Sequence, residues 1–177
     1  MSLPRYQRIL VGTDGSSLAG PTVERAARLA HDEDADLIIV CAYTQLTARD
    51  DAKQTITPSL PTLGQVPGKV ASSLALGQAQ QIAHDAGAFV TAALLVDAEP
   101  VTALLETAKD HQADLIVIGA IRDTSIVGRL LGTVASEVVR QATCEVLIVR
   151  PQPGDEPPNV AEDLTVASAP PTGEEQS

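Results

Sequence analysis

The sequence predicts an α/β fold in which a doubly wound, five-stranded parallel sheet carries helices on both faces. Short apolar runs alternate along the chain with alanine-rich stretches of helical length. The runs are apolar at nearly every position, which is typical of strands buried on both faces of a parallel sheet. Aromatic residues make up only 2% of the chain, so the core must be built from alanine, valine, leucine and isoleucine.

The predicted elements alternate from the first strand to the last. The strands cover residues 8–12, 37–42, 89–96, 115–118 and 146–149, and the helices cover residues 22–30, 70–86, 101–109 and 133–141. Each strand and the helix that follows it form the βα unit from which parallel sheets are built.

The segment 43–69, between the second strand and the second helix, is longer than the usual ~2 to 6 residues of a βα loop. Its turn-forming residues argue against a regular element inside it: Pro58, Pro61, Gly64 and Pro67. Long βα loops lie at the carboxyl edge of the sheet, where ligands bind in open α/β sheets. The segment is therefore predicted either to cover a ligand site or to be a mobile excursion.

The composition of the chain changes after residue 150. Residues 151–177 contain six acidic residues, no lysine or arginine, and six of the 12 prolines. Such a segment has too little apolar surface to offset the entropy cost of ordering. The 177 residues therefore divide into one domain, residues 1–150, and a disordered acidic tail, residues 151–177. The alternative interpretation of the tail is a solubilising extension without a function of its own.

Charge and hydropathy exclude several classes of partner. The formal net charge of −11 opposes binding to nucleic acid, which requires a clustered positive surface. No apolar stretch approaches the roughly 20 residues of a membrane span, and residues 1–8 lack the apolar region of a secretory signal. We therefore expect a cytoplasmic protein that binds neither nucleic acid nor membrane, with Cys41 and Cys144 reduced.

Asp14 stands just past the first predicted strand, after Gly12 and Thr13. A carboxylate at this position faces the crevice of an open α/β sheet and commonly accepts hydrogen bonds from a ribose or a base. The alternative is a structural role, in which the side chain forms an Asx turn or caps the next helix.

The fourth strand leads through Gly119 into a glycine-bearing loop that ends at Gly132 and Thr133, where a helix starts. Backbone N–H groups at a helix N-terminus, together with the Thr133 hydroxyl, are suited to bind phosphate oxygens. The alternative is that these are ordinary turn glycines.

Four segments of the chain resemble the universal stress protein family. They are residues 9–17 (ILVGTDGSS), 113–119 (ADLIVIG), 128–134 (GRLLGTV) and 144–150 (CEVLIVR). The resemblance covers residues 5–150 and implies an adenine-nucleotide α-hydrolase-like sheet with strand order 3-2-1-4-5. It also implies an adenine nucleotide between the first and fourth strands. By this resemblance Gly12, Thr13 and Asp14 contact the ribose and base, the Ala42 backbone contacts the adenine, and Gly119, Gly132, Thr133 and Val134 contact the phosphates.

The loop after the fourth strand departs from the family's pattern at one position. Nucleotide-binding members carry Gly, two residues, Gly, nine residues, Gly, then Ser or Thr; here the spacing is kept, but Arg122 replaces the second glycine. The Arg122 guanidinium is suited to pair with phosphate oxygens. Alternatively, Arg122 marks a pocket that no longer binds nucleotide.

The sequence lacks the common catalytic templates, such as a nucleophile elbow, a zinc motif or a Gly-Lys-Ser/Thr phosphate loop. Its histidines, His31, His84 and His111, fall near predicted helix C-termini, at the edge of the sheet opposite the crevice. The resemblance therefore favours a stress-response signalling protein that binds ATP or cyclic AMP, with Mg²⁺ if a triphosphate is bound. Slow ATP hydrolysis remains open, as does a nucleotide-free dimeric scaffold for protein interactions.

The resemblance further implies a homodimer formed through the last strand. This strand ends the predicted sheet with a hydrophobic edge of the kind that proteins cover or pair. Its apolar residues are Val146, Leu147, Ile148 and Val149.

Overall fold

A computed structural model describes residues 5–45, 65–120 and 131–150. In chain order the elements are β1 (Arg8–Gly12), α1 (Ala19–Glu33), β2 (Asp36–Thr44), β3 (Val66–Pro67), α2 (Lys69–Asp85), β4 (Val90–Asp97), α3 (Pro100–Asp110), β5 (Leu115–Gly119), α4 (Thr133–Gln141) and β6 (Glu145–Val149). Each predicted strand and helix is present, with ends that shift by three residues or fewer. The Pro151 to Ser177 tail lies outside the described residues.

The strands form one parallel sheet, which confirms the predicted fold class. Its main strands lie in the order β4-β2-β1-β5-β6, which is the expected order for the five predicted strands. Leu10 in β1 pairs with Ile38 in β2 on one side and with Ile116 in β5 on the other. The chain therefore builds outward from β1 in one direction and then crosses to β5, so the switch point of the sheet lies between β1 and β5.

The prediction of five strands was wrong by one, because β3 lies within the segment that was assigned no regular element. Val66 and Pro67 pair with Tyr43 and Thr44, which extend β2 beyond its predicted end at Ala42. Because β4 pairs with Tyr43 along one edge of β2, β3 uses the other edge, beyond the end of β1. A proline fits such a short strand because its missing N–H matters only where the ladder needs a donor. Residues 46–64 of the segment lie outside the described residues, so both interpretations of it stay open.

Helices cover both faces of the sheet, as predicted. Helices α1 and α2 bury Val23, Ala26, Ala75 and Leu76 against one face, and α3 and α4 bury Leu104 and Val138 against the other. Neighbouring strand residues alternate between the faces: Leu10 joins the α3–α4 side, whereas Ile9 and Val11 join the α1–α2 side. The three central strands are therefore almost fully buried, and the outer strands β4 and β6 are half-buried.

The two cysteines lie on different parts of the sheet. Cys41 is buried in β2, where desolvation raises the pKa of its thiol to about 11. Cys144 is half-buried just before β6, and β1 and β5 separate these two strands. Both thiols are free, so the fold has no intrachain disulfide between them.

Candidate functional site

A crevice opens at the carboxyl ends of β1 and β5, at the switch point of the sheet, with a cavity volume of about 130 Å³. This volume is roughly ten times the ~10 to 15 Å³ that one buried water requires, so a small molecule can enter. The structure brings eight of the sequence-derived site residues to this crevice: Gly12, Thr13, Asp14, Ala42, Gly119, Gly132, Thr133 and Val134. The ninth, Arg122, lies outside the described residues.

The turn after β1 is held by hydrogen bonds within itself and to β2. The Thr13 N–H donates to the Val40 carbonyl oxygen at 2.9 Å, which extends the sheet by one bond beyond β1. The Gly15 N–H donates to Thr13 Oγ1 at 3.3 Å, and the Ser16 N–H donates to Asp14 Oδ1 at 2.9 Å. The Asx turn considered for Asp14 is therefore present, and the same carboxylate also lines the crevice.

Gly15 is a position that requires glycine. Its φ of +71° lies in the left-handed region, and a Cβ at this residue would stand 2.6 Å from the Cβ of Ala75 in α2. Only glycine combines this conformation with such close packing. The turn that carries Asp14 and Ser16 is thus held against α2 without a side chain between them.

Helix α3 supplies an apolar wall of the crevice that the sequence analysis missed. Pro100 and Leu104 line the crevice, and Leu104 lies so close to β1 that a Cβ on Gly12 would stand 3.0 Å from its Cδ2 atom. A signal for Pro100 exists in the sequence, because a proline in the first turn after the third strand marks a helix start at the carboxyl edge. Which apolar residue of that helix faces the crevice depends on packing.

The opposite wall is the N-terminus of α4. Gly132 is the N-cap residue and makes no side-chain cap, so the first N–H groups of the helix have no acceptor within it. These groups belong to Thr133, Val134 and Ala135, all of which line the crevice. The helix dipole adds a partial positive charge there. This wall is suited to an anion.

The start of α4 is anchored to the sheet by two short backbone hydrogen bonds. The Gly132 N–H donates to the Ala120 carbonyl oxygen at 2.7 Å, and the Ala120 N–H donates to the Val149 carbonyl oxygen at 2.7 Å. The first turn closes with the Ser136 N–H bonded to the Gly132 carbonyl oxygen at 2.9 Å. The donors of this wall are therefore fixed before any ligand arrives.

Among the described residues that line the crevice, Asp14 carries the one ionisable side chain with a formal charge at neutral pH. Its charge adds to burial in raising the pKa of the neighbouring Cys41 thiol, which stays protonated. In this part of the chain, the groups suited to an anion are therefore backbone N–H groups and the dipole of α4.

The histidines do not enter the crevice. His31 and His84 lie in the last turns of α1 and α2, and His111 is the C-cap residue of α3, at the edge of the sheet opposite the carboxyl ends. His31 Nδ1 is 3.0 Å from the Gly87 carbonyl oxygen. In residues 5–45, 65–120 and 131–150 no group of three His, Cys, Asp or Glu side chains is arranged to hold a metal ion, and no helix is long and apolar enough to cross a membrane.

The parallel sheet is wound in both directions from its first strand, and a crevice and a helix N-terminus lie at its switch point. These features define the class of doubly wound α/β proteins, in which ligands bind at the carboxyl edge of the sheet. Within this class the chain belongs to the universal stress protein family. The model of that family matches residues 5–150.

Two relatives align with this chain over almost their whole length. The universal stress protein Rv1636 of Mycobacterium tuberculosis is 38% identical over 144 residues, which are 81% of this chain and 96% of that protein. The crystal structure of Rv1636 covers 85% of this chain and 100% of its own, with 36% identity and a TM-score of 0.52. The crystal structure of a universal stress protein in complex with cAMP covers 84% and 100%, with 34% identity and a TM-score of 0.62.

Proposed function

We propose that this chain binds an adenine nucleotide in the crevice at the switch point and acts in stress-response signalling. The observation that carries the proposal is the meeting of the Asp14 turn and the N-terminus of α4 in one crevice. The relative of known structure that is in complex with cAMP, at 34% identity, supports the same ligand class. The alternative, a nucleotide-free dimeric scaffold, becomes an outcome of the test below.

We call the part of the crevice formed by Gly12, Val40, Ala42, Pro100 and Leu104 the nucleoside half. Its lining is apolar, and it lies where β1, β2 and α3 meet. An adenine ring buried there loses contact with water on both faces, which favours binding. In this proposal the Asp14 turn borders the nucleoside half and receives the ribose, and the Ala42 backbone contacts the base.

We call the part formed by Gly119, Ala120, Gly132, Thr133 and Val134 the phosphate half. Its N–H groups come from a helix start that is already anchored to the sheet, so little ordering is needed when a phosphate binds. These donors are suited to phosphate oxygens whether the phosphate is a cyclic diester or a chain of several groups.

The charge of the ligand separates the two candidate nucleotides. Cyclic AMP carries one negative charge, whereas ATP carries about four, and the described lining offers the negative charge of Asp14 and no lysine or arginine. In this proposal ATP requires Mg²⁺ or the Arg122 guanidinium to neutralise its phosphates, whereas cyclic AMP requires neither. The proposed role is to bind and sense the nucleotide. The highest activity expected of such a site is slow ATP hydrolysis, which would result from positioning of the bound triphosphate.

The function is tested by calorimetric titration of the purified chain with cyclic AMP, and with ATP and ADP in the presence of Mg²⁺. We expect saturable binding of at least one of them at one nucleotide per chain. Guanosine 3′,5′-cyclic monophosphate is the matched control for the base. No binding of any of the three adenine nucleotides at millimolar concentration would favour the scaffold.

Arg122 lies outside the described residues, and we propose that its guanidinium pairs with the phosphates. Arg122→Ala is then expected to weaken ATP binding by about 1.5 to 3 kcal/mol, the range of hydrogen bonds to charged groups, and to leave adenosine binding nearly unchanged. Titration of both ligands measures this difference. Arg122→Gly restores the family's glycine and is the informative second variant, because tighter ATP binding by it would show that Arg122 obstructs the loop.

We propose in addition that the protein is a cytoplasmic homodimer joined through β6. In the described residues β6 pairs with β5 alone, and Val146 to Val149 are half-buried. Such an edge offers unpaired backbone groups beside apolar side chains, so a second copy can continue the sheet. In the same proposal residues 1–150 are the folded unit, and residues 151–177 are an acidic extension that is not required for folding.

A further inference from the structure

Gln65 is a buried amide at the carboxyl edge of the sheet. The residue is only 7% exposed. Its Nε2 atom donates to the Ala98 carbonyl oxygen at 3.1 Å and to the Tyr43 carbonyl oxygen at 3.3 Å. Tyr43 belongs to β2, and Ala98 is the first residue after β4. One amide group therefore ties together the ends of two neighbouring strands.

The position of Ala98 determines where α3 begins. Ala98 stands two residues before Pro100, the first residue of α3, and its N–H donates to the Val96 carbonyl oxygen at 3.0 Å. The Glu99 carbonyl oxygen already accepts from the Ala103 N–H at 2.9 Å. Only Ala98 and Glu99 lie between β4 and α3, so we expect a shift of Ala98 to displace Pro100 and the first turns of α3.

We infer that Gln65 is a positioning residue for the nucleoside half of the crevice. Through Ala98 it fixes Pro100 and Leu104, and through Tyr43 it fixes the end of β2 next to Ala42. The phosphate half is anchored separately, through Ala120. This inference rests on the proposed nucleotide binding, and it predicts that Gln65 affects the part of the affinity contributed by the nucleoside.

The first test is Gln65→Met, which keeps the length of the side chain and removes the amide donor. We expect the affinities for adenosine and for cyclic AMP to fall by the same factor, roughly tenfold. Without the amide the walls of the nucleoside half are no longer held in place, so they must be ordered when the ligand binds, and that cost is the same for both ligands. The ratio of the two affinities is expected to stay constant. A general loosening of the protein would instead change both halves of the crevice and alter that ratio.

Gln45→Met is the matched control. Gln45 is exposed, directly follows β2, and donates from Nε2 to Asp97 Oδ2 at 2.7 Å. The substitution therefore removes the same amide at the same edge of the sheet without touching Ala98. We expect its affinities for both ligands to lie within about twofold of wild type.

A second variant, Gln65→Glu, tests the same donor by pH. Burial raises the pKa of a carboxyl at this position, and the two facing carbonyl oxygens raise it further. The protonated acid can donate to one carbonyl, whereas the carboxylate repels both. We expect the affinity of Gln65→Glu relative to Gln65→Met to rise as the pH is lowered from about 8 to 5; measuring both in the same buffer cancels the titration of the nucleotide.

The outcomes separate this inference from the proposed function. If the wild-type chain binds neither adenosine nor cyclic AMP, the proposed function fails. If the wild-type chain binds them and Gln65→Met binds both equally well, or loses affinity for cyclic AMP alone, the inference about Gln65 fails and nucleotide binding stands. If Gln65→Met does not fold, the affinity of Gln65→Glu is compared with that of wild type at each pH instead, and a ratio that is independent of pH overturns the inference.

Discussion

Gly15→Ala is expected to destabilise the protein by about 2 to 5 kcal/mol, as the sum of two costs. A left-handed backbone costs an L-residue about 1 to 2 kcal/mol, and overpacking a close contact adds about 1 to 3 kcal/mol. Both apply, since Gly15 has φ +71° and its Cβ would stand 2.6 Å from the Ala75 Cβ. Relief would require the turn to move away from α2, which displaces Asp14 and Ser16 and weakens nucleotide binding. Thermal and urea unfolding measure the first effect, and titration measures the second.

Gly77→Ala is the matched control for this prediction. Gly77 lies in the same helix that Gly15 contacts, and a Cβ there would meet nothing within 4 Å. Because glycine inside a helix costs about 0.5 to 1 kcal/mol relative to alanine, this variant is expected to be more stable than wild type. The opposite signs of the two glycine-to-alanine changes exclude a general effect of adding a methyl group.

The double variant Gly15→Ala with Ala75→Gly separates the steric cost from the backbone cost. Removing the Ala75 Cβ leaves the Ala75 Cα, at 3.3 Å, as the next contact, so most of the overlap disappears while the left-handed strain remains. Compared with Ala75→Gly alone, the added Gly15→Ala should then cost only about 1 to 2 kcal/mol. A cost unchanged by Ala75→Gly would show that packing against α2 does not restrict this turn.

The order of the elements could be predicted because hydrophobic pattern alone determines it in this chain. Helix α4 and strand β1 have the predicted bounds, since each is limited by glycine or by a change of pattern. Helix α1 begins at Ala19, three residues before the predicted start at Thr22, because Pro21 falls in its first turn. A proline ends a helical pattern in its interior but is tolerated in the first turn, and the pattern does not show which applies.

Strand β3 was missed for a different reason. Two residues form no periodic pattern, and Val66 and Pro67 become a strand only because β2 extends past the end of β1 and offers a free edge. That edge is a consequence of the assembled sheet. Gln65 likewise acquires its role from two carbonyl groups that are distant in sequence. From the sequence alone, its position next to Gly64 predicted only a loop.

The candidate site was predictable where its residues follow strands or begin helices. Asp14 and Gly119 stand at the ends of β1 and β5, and parallel strands bring their carboxyl ends together, so topology alone places them in one crevice. Pro100 and Leu104 contribute through apolar contact, and apolar residues of this kind occur in every buried helix. Their role depends on the short distance between α3 and Gly12, which only the packed structure provides.

Thr133→Pro is expected to weaken the binding of cyclic AMP and ATP by about 2 to 4 kcal/mol, roughly 30- to 1,000-fold. Thr133 is the first residue of α4, and the preceding Gly132 has φ −62° and ψ 160°, the extended conformation that a residue before proline adopts. Proline is favoured at this helix position, where its missing N–H has no partner in the helix. The variant therefore removes two donors from the phosphate half, the N–H and the hydroxyl, while the helix is retained.

The pattern across ligands and variants decides whether α4 binds the phosphate. Adenosine has no phosphate, so its affinity for Thr133→Pro should stay within about twofold of wild type. Thr133→Ala, which keeps the N–H, should lie between wild type and Thr133→Pro, and Thr133→Ser, which keeps both donors, should match wild type. The melting temperature of Thr133→Pro is expected to be unchanged or slightly higher, because proline restricts the unfolded chain. If Thr133→Pro has this unchanged stability and still binds cyclic AMP as tightly as wild type, the phosphate does not lie at the N-terminus of α4, and the anion site must be sought elsewhere in the chain.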